Sequence, residues 1–383
     1  MLETIGKETC AFQSQVYKDR YQKLQQYMAN HGLQAHLIRD DLNIIYLTGA
    51  TYYSMERPVL FIALVNAPAI LVVPKMEEEH LQGLHNVGRV APYWEIDALP
   101  GRDWLSALRS TLADVKSLGV EPSLEAKHFS KLVEFKPQLL PLVEEVRLVK
   151  SDAELLTLQR SGVIASERME EMLKGDIQGM SVGQIVARGM GGINDNIAER
   201  YGSACKLVMG LQAGILAASP HHISSHNHII QNEPCVVNSI VSYQGYNTEC
   251  ERTVLVGEVG DKVTDIFKCM LEAQSKAIEL IKPGESCAGV DIAIQKYFTQ
   301  AGYGDCIMHR VGHGMGLLPH ERPYLSEGSS DVFTPGMVVS CEPGLYVKGI
   351  GGFRHSDTLV ITEQGHELLT HYPSDLNSQS FNQ

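Results

Sequence analysis

Apolar positions at Tyr21, Leu24, Met28 and Leu33 recur near the helical period, and Gly32 stands where such a helix would stop. The spacing predicts a helix over residues 17–32. AHLI (35–38) and NIIYLTG (43–49) read as short buried strands. VLFIALV (59–65) and AILVVP (69–74) read as a hairpin turning at Asn66, Ala67 and Pro68. Further alternation of strand and helix, as in LGVEP (118–122) and KHFSKLVEFK (127–136), makes residues 1–147 a small α/β domain. At VRLVKSDAELLTLQRSG (146–162), Ser151 is a helix N-cap and Glu154, three positions on, completes a capping box. A long helix to about Lys174 should follow. Helices, strands, helices and strands then succeed one another, which suits an α+β domain over 148–383 with helices covering a curved antiparallel sheet.

With 383 residues, the chain can bury two cores. The formal charge of −13 argues against a nucleic-acid partner, which needs a basic face. No apolar run reaches the roughly 18–20 residues that span a bilayer, because the longest, over 58–73, is broken by Asn66 and Pro68. The opening MLETIGKETC lacks a basic segment leading into an apolar one, so no secretory leader is expected. Eight scattered cysteines read as free thiols of a cytoplasmic protein.

Five stretches carry ionisable residues inside strand-like sequence, where burial is costly unless the group is paired or functional. They are SPHHISSHNH (219–228), VNSIVSYQGYNTECERT (237–253), GHGMGLLPHERP (312–323), SCEPG (340–344) and GGFRHSD (351–357). Together they point to an active site. His226 and His228 alternate as if on one strand and read as a solvated rim. His309 and His320 are expected to shape the pocket. Cys250 and Cys341 should face away from it, and Tyr243 and Tyr246 should pack.

The ordered segments GHGMGLLPHERP, SCEPG and GGFRHSD resemble the creatinase / aminopeptidase P / methionine aminopeptidase superfamily, and RYQKLQQYMANHGLQAHLIRDDLNIIYLTG (20–49) is similar to its amino-terminal creatinase-type domain. The resemblance implies a pita-bread catalytic domain behind a smaller α/β domain. It also implies five metal-ligand positions: Asn238, Glu249, His313, Glu342 and Ser356. Asn238 and Ser356 stand where carboxylates are implied, and Glu249 where the superfamily has Asp. Two adjacent cations need more negative charge than that. No cofactor is therefore expected, with a single divalent ion on Glu249, His313 and Glu342, and His355 as a further candidate ligand, left open.

These departures resemble the metal-free creatinase branch, through GYNTECERT (245–253) and His221. That likeness implies His221 as catalytic acid/base and Glu251 and Glu342 as binders of a planar N–C–N cation. Glu249 becomes a third acid, and His320 assists proton transfer or substrate orientation. Arg57 and Arg322 become anchors for a substrate carboxylate, Arg57 from the partner subunit of a homodimer. Such chemistry works without metal, because a neutral imidazole activates water and paired carboxylates hold an amidinium. The leading expectation is a hydrolase of a non-peptide C–N bond in a small zwitterionic amidine or guanidine carboxylate, of the creatine or ectoine type. A metal-dependent Xaa-Pro dipeptidase or aminopeptidase, a lyase, and an inactive binding homologue remain as alternatives.

Overall fold

The computed structural model describes residues 12–52, 54–191 and 205–381. The chain forms two compact units, Met1–Arg147 and Leu148–Gln383. It is an α+β protein: a creatinase-type α/β domain is followed by a pita-bread domain.

In the first unit, helix α1 (Ser14–Asn30) ends just before Gly32, whose φ of 67° lets the chain reverse. A six-stranded mixed sheet runs in the order β4 (Val87–Tyr93), β3 (Ala67–Pro74), β2 (Leu60–Leu64), β1 (Ala35–Ile38), β5 (Leu118–Val120), β6 (Gln138–Leu139). β2 and β3 form the expected hairpin. The segment 43–49 is not a strand. It lies in helix α2 (Asp41–Thr48), because Asp40 caps the Asn43 amide at 3.1 Å and Gly49, at φ 71°, terminates the turn. Glu121 reinforces that start, accepting the amides of Arg39, at 2.6 Å, and Asp40, at 2.5 Å. Helices α3 (Trp104–Thr111), α4 (Ala126–Phe129) and α5 (Leu142–Leu148) complete the unit, with Trp104 and Leu108 of α3 packed into the sheet's core.

The second unit opens with helix α6 (Asp152–Met172). At its start the backbone N–H and Oγ of Ser151 both donate to Glu154 Oε2, at 3.0 and 2.7 Å. Helix α7 (Val182–Met190) follows. The first sheet places β7 (Cys205–Ala213), β8 (Glu233–Tyr243) and β9 (Tyr246–Val256) antiparallel. Ile164, Met169 and Met172 of α6 pack on their apolar face. Helices α8 (Asp261–Leu280) and α9 (Cys287–Gln300) pack against a second sheet. Its order is β11 (Glu321–Leu325), β10 (Gly312–Gly314), β12 (Val338–Cys341), β15 (Asp357–Thr362), β16 (Gly365–Leu368). A hairpin of β13 (Gly344–Val347) and β14 (Gly351–Arg354) leads into β15. The sheets meet where Glu251 and Ser356 exchange backbone hydrogen bonds of 2.9 and 3.0 Å. The candidate site gathers at that seam.

Among the described residues no helix is long and apolar enough to cross a membrane. The seven described cysteines are free thiols, and Cys10 lies outside the described residues.

Candidate active site

β9 is buried along its whole length, so its alternation sorts side chains between two interiors. Cys250 and Val254 enter the core under α6, while Glu249 and Glu251 face the seam. Cys341 likewise joins the core under α8 and α9, and burial holds both thiols up, Cys250 at about 12. Neither can serve as a thiolate nucleophile. Tyr243 packs in the first core, and Tyr246 donates to Glu154 at 2.9 Å.

β10 supplies His313. Its glycine neighbours are required there, since a Cβ at Gly312 would lie 2.2 Å from the Ser340 carbonyl and one at Gly314 2.2 Å from that of Arg322. Between β10 and β11 the chain bulges out as Met315–His320. Two latches hold the bulge. Asn247 Nδ2 donates to the carbonyls of Gly316 and Leu317, at 2.9 and 3.0 Å, and the buried Lys150 ammonium pairs with Glu321 at 3.0 Å. His320 is thereby stacked on His313, with ring centroids 3.8 Å apart.

His313 is oriented by its own backbone. Its Nδ1 lies 3.2 Å from the Gly314 carbonyl, which makes that nitrogen the N–H donor. Nε2 lies 3.1 Å from Glu342 Oε1 and 3.8 Å from Glu249 Oε1, buried and facing both carboxylates. Burial pulls the imidazole down, but the two carboxylates outweigh it and push it up to about 9. Burial pushes Glu249 up to about 8, with Glu342 and Glu251 adding to the shift. Glu342 goes the other way, to about 2, because the His313 hydrogen bond and the charges of His313 and Arg354 overcome its burial. His320 is driven down to about 4 by burial and by the charge of His313.

Glu251 is not open to a substrate cation. Arg354 Nε and Nη2 grip its two oxygens at 2.5 and 2.9 Å, and Asn238 Nδ2 donates to Oε1 as well. The planar N–C–N cation expected from a substrate is supplied by the protein. Arg354 Nη1 also donates to Tyr346 Oη at 2.8 Å, and Tyr346 donates to His309 Nε2 at 2.7 Å. Sequence reasoning passed over Arg354 and Tyr346. The signal was present in GGFRHSD, where Arg354 and Ser356 stand two apart, the same-face spacing of an extended chain.

The remaining candidates separate. His221 is exposed on the turn closed by the His222 amide on the Ser219 carbonyl at 3.0 Å, and its charge is felt at His320. His226 and His228 do not share a strand. They belong to a turn closed by the His228 amide on the Ser225 carbonyl, and His228 pairs with Glu233 at 2.6 Å. His355 turns away from the seam, edge-on to Phe267 with centroids 5.4 Å apart, and burial holds it well below the usual imidazole range. It cannot join a metal set with His313. Arg322 pairs with Asp331 at 2.6 Å. Arg57, in the first unit, is engaged by Glu56 and by Glu95 at 2.9 Å.

A catalytic unit matched over residues 157–363 by the model of metallopeptidase family M24, behind a creatinase/prolidase N-terminal domain matched over 20–149, defines the class: the chain belongs to family M24. It is a hydrolase. It is similar to the Xaa-Pro dipeptidase of Pyrococcus horikoshii, 28% identical over 361 residues that cover 93% of this chain and 97% of that one. The Xaa-Pro dipeptidase of Lactobacillus delbrueckii subsp. lactis is likewise 28% identical, over 92% of this chain and 97% of its own. The crystal structure of the prolidase from Pyrococcus horikoshii OT3 superposes with a TM-score of 0.80 at 26% identity, covering 94% of this chain and 99% of that one. Dipeptidase PepE from Mycobacterium ulcerans gives 0.85 at 26% identity, covering 97% and 99%.

These relatives give no support to the creatinase-type reading, and the occupied Glu251 removes its binding geometry. Membership of a metallopeptidase family gives no support to the expectation of no cofactor and is consistent with a bound metal. The residues fit one divalent ion. A buried imidazole nitrogen facing two carboxylates, its other nitrogen on a carbonyl, is a ligand arrangement once a cation displaces its proton. Glu249, His313 and His320 also bring one donor atom each within 4.8 Å of one another. The residues do not suit two ions, because Asn238, whose Oδ1 is buried without a partner, and Ser356 are neutral where two adjacent cations need anionic ligands.

Proposed function

We propose that this chain is a metal-dependent hydrolase of Xaa-Pro dipeptides. The observation that carries the reading is the buried His313 Nε2, which faces Glu249 and Glu342 beside the stacked imidazole of His320. A divalent ion on those residues would polarise the scissile carbonyl and generate a nucleophile from water at neutral pH. The chain's own groups do the rest. Glu249 and Glu342 make an acidic floor that suits the free ammonium of a small zwitterionic dipeptide. The glycine-bounded bulge fixes His320 beside that floor, where its N–H orients the peptide. His221, exposed next to it, handles the proton of the leaving nitrogen.

The test is amine release from Ala-Pro, Met-Pro and creatine by purified protein, before and after a strong chelator, then with manganese or cobalt restored. Cleavage of the dipeptides that chelation abolishes and metal restores is the expected result. Turnover of creatine that survives chelation would overturn the reading and return the site to amidine chemistry, which Asn238 and Ser356 would suit.

A further inference from the structure

We propose that this chain holds one divalent ion, between Glu249, His313 and Glu342, and that the guanidinium of Arg354 is the permanent second positive charge of the site, with Asn238 and Ser356 closing the place a second ion would take. The proposal rests on the peptidase reading for the presence of the ion but makes its own claim about number.

The first argument is register. Asn238 and Glu251 face each other directly across β8 and β9. The carboxylate implied at 238 has no counterpart there, but one stands opposite, on 251. From that place it grips Arg354 through both oxygens. The second argument is donor polarity. Asn238 Nδ2 donates to Glu251 Oε1, and Ser356 Oγ donates to Glu249 Oε1 at 2.7 Å. Neither side chain brings the negative charge that a second cation would need. The third is charge. Glu249, Glu251 and Glu342 are all buried or nearly so, as is Arg354. Three carboxylates, one guanidinium and one divalent ion leave the site neutral. A second ion would leave two uncompensated positive charges in a medium where each costs several kcal/mol. Arg354 cannot swing clear to make room, since Tyr346 and His309 tie its far side to the Arg310 carbonyl, reached by His309 Nδ1 at 2.7 Å.

The experiment strips the full chain with chelator and titrates it with cobalt(II), reading stoichiometry by calorimetry and elemental analysis and coordination by visible absorption. One cobalt per chain is expected. The N238D/S356E double variant should take up two. If that variant fails to fold, Asn238→Ala asks the same question, since removal of a non-ligand leaves the count at one while His313→Ala abolishes retention. Two tightly held ions in the unaltered chain, or none, would overturn the proposal, and so would a folded double variant that still takes one. One cobalt without dipeptide cleavage removes the peptidase reading and leaves the one-ion centre standing. Cleavage with two ions does the reverse.

Discussion

Glu251 and Arg354 show how a single side chain changes what a site can do. A carboxylate free to bind substrate affects KM when it is neutralised and has little effect on stability. A carboxylate gripping a buried guanidinium behaves in the opposite way. Removing its charge leaves Arg354 buried and unmatched, and breaking such a pair costs roughly 3–5 kcal/mol. Glu251→Gln should therefore lower the urea midpoint markedly at unchanged m-value. A variant with native stability but a raised KM would restore Glu251 to the role of substrate ligand. Much of this site was legible: polar residues in strand-like sequence demand partners and marked the five stretches, and the family resemblance picked His313, Glu342 and Glu249 out of them. Arg354 was not picked out, since a lone arginine in a strand is unremarkable until its bidentate partner is known.

At the scale of elements, the difference between expectation and fold lies in residues 43–49. Asn43, Ile44, Tyr46, Leu47 and Thr48 are all buried, so the run lacks the one-sided pattern that marks a surface helix. Its apolar density fits a buried strand equally well. The deciding signals flank it: Asp40 as cap and Gly49 as terminator. The hairpin at 65–67 and the Ser151–Glu154 start of α6 were readable because turn and cap residues sit in plain sequence. The seam between the sheets was not, because it joins residues far apart in the chain, Glu251 to Ser356 through backbone and Glu249 to Ser356 and Thr358 through side chains. Asp40→Ala should cost about 0.5–2 kcal/mol by loss of the cap, seen as a lower thermal midpoint of the first unit with metal retention unchanged. Gly314→Ala should act on the site instead. The added methyl meets the Arg322 carbonyl at 2.2 Å, so β10 must move and take His313 with it. Weakened cobalt binding is the expected readout, and native cobalt affinity would mean the bulge absorbs the methyl.

At the scale of the whole molecule, the proposed catalytic groups all belong to the second unit, while Arg57 belongs to the first. The likeness to the creatinase branch implied that Arg57 serves the partner subunit of a homodimer, and this can be tested apart from that branch's chemistry. Its present partners, Glu56 and Glu95, do not stand in the way. Arg57 is about a third exposed, so solvent screens these pairs and they hold it weakly. A substrate carboxylate offering a bidentate contact competes well with that. An isologous dimer would then hold two composite sites, each with His221 from one chain and Arg57 from the other. Arg57→Ala and His221→Ala homodimers should each be impaired, His221→Ala by roughly 10²–10⁴-fold in turnover. Mixing the two should restore activity, because every mixed dimer contains one site in which both residues are intact. Verified mixed dimers that stay as slow as their parents would place Arg57 outside the site, as a side chain that only ties Glu56 to Glu95.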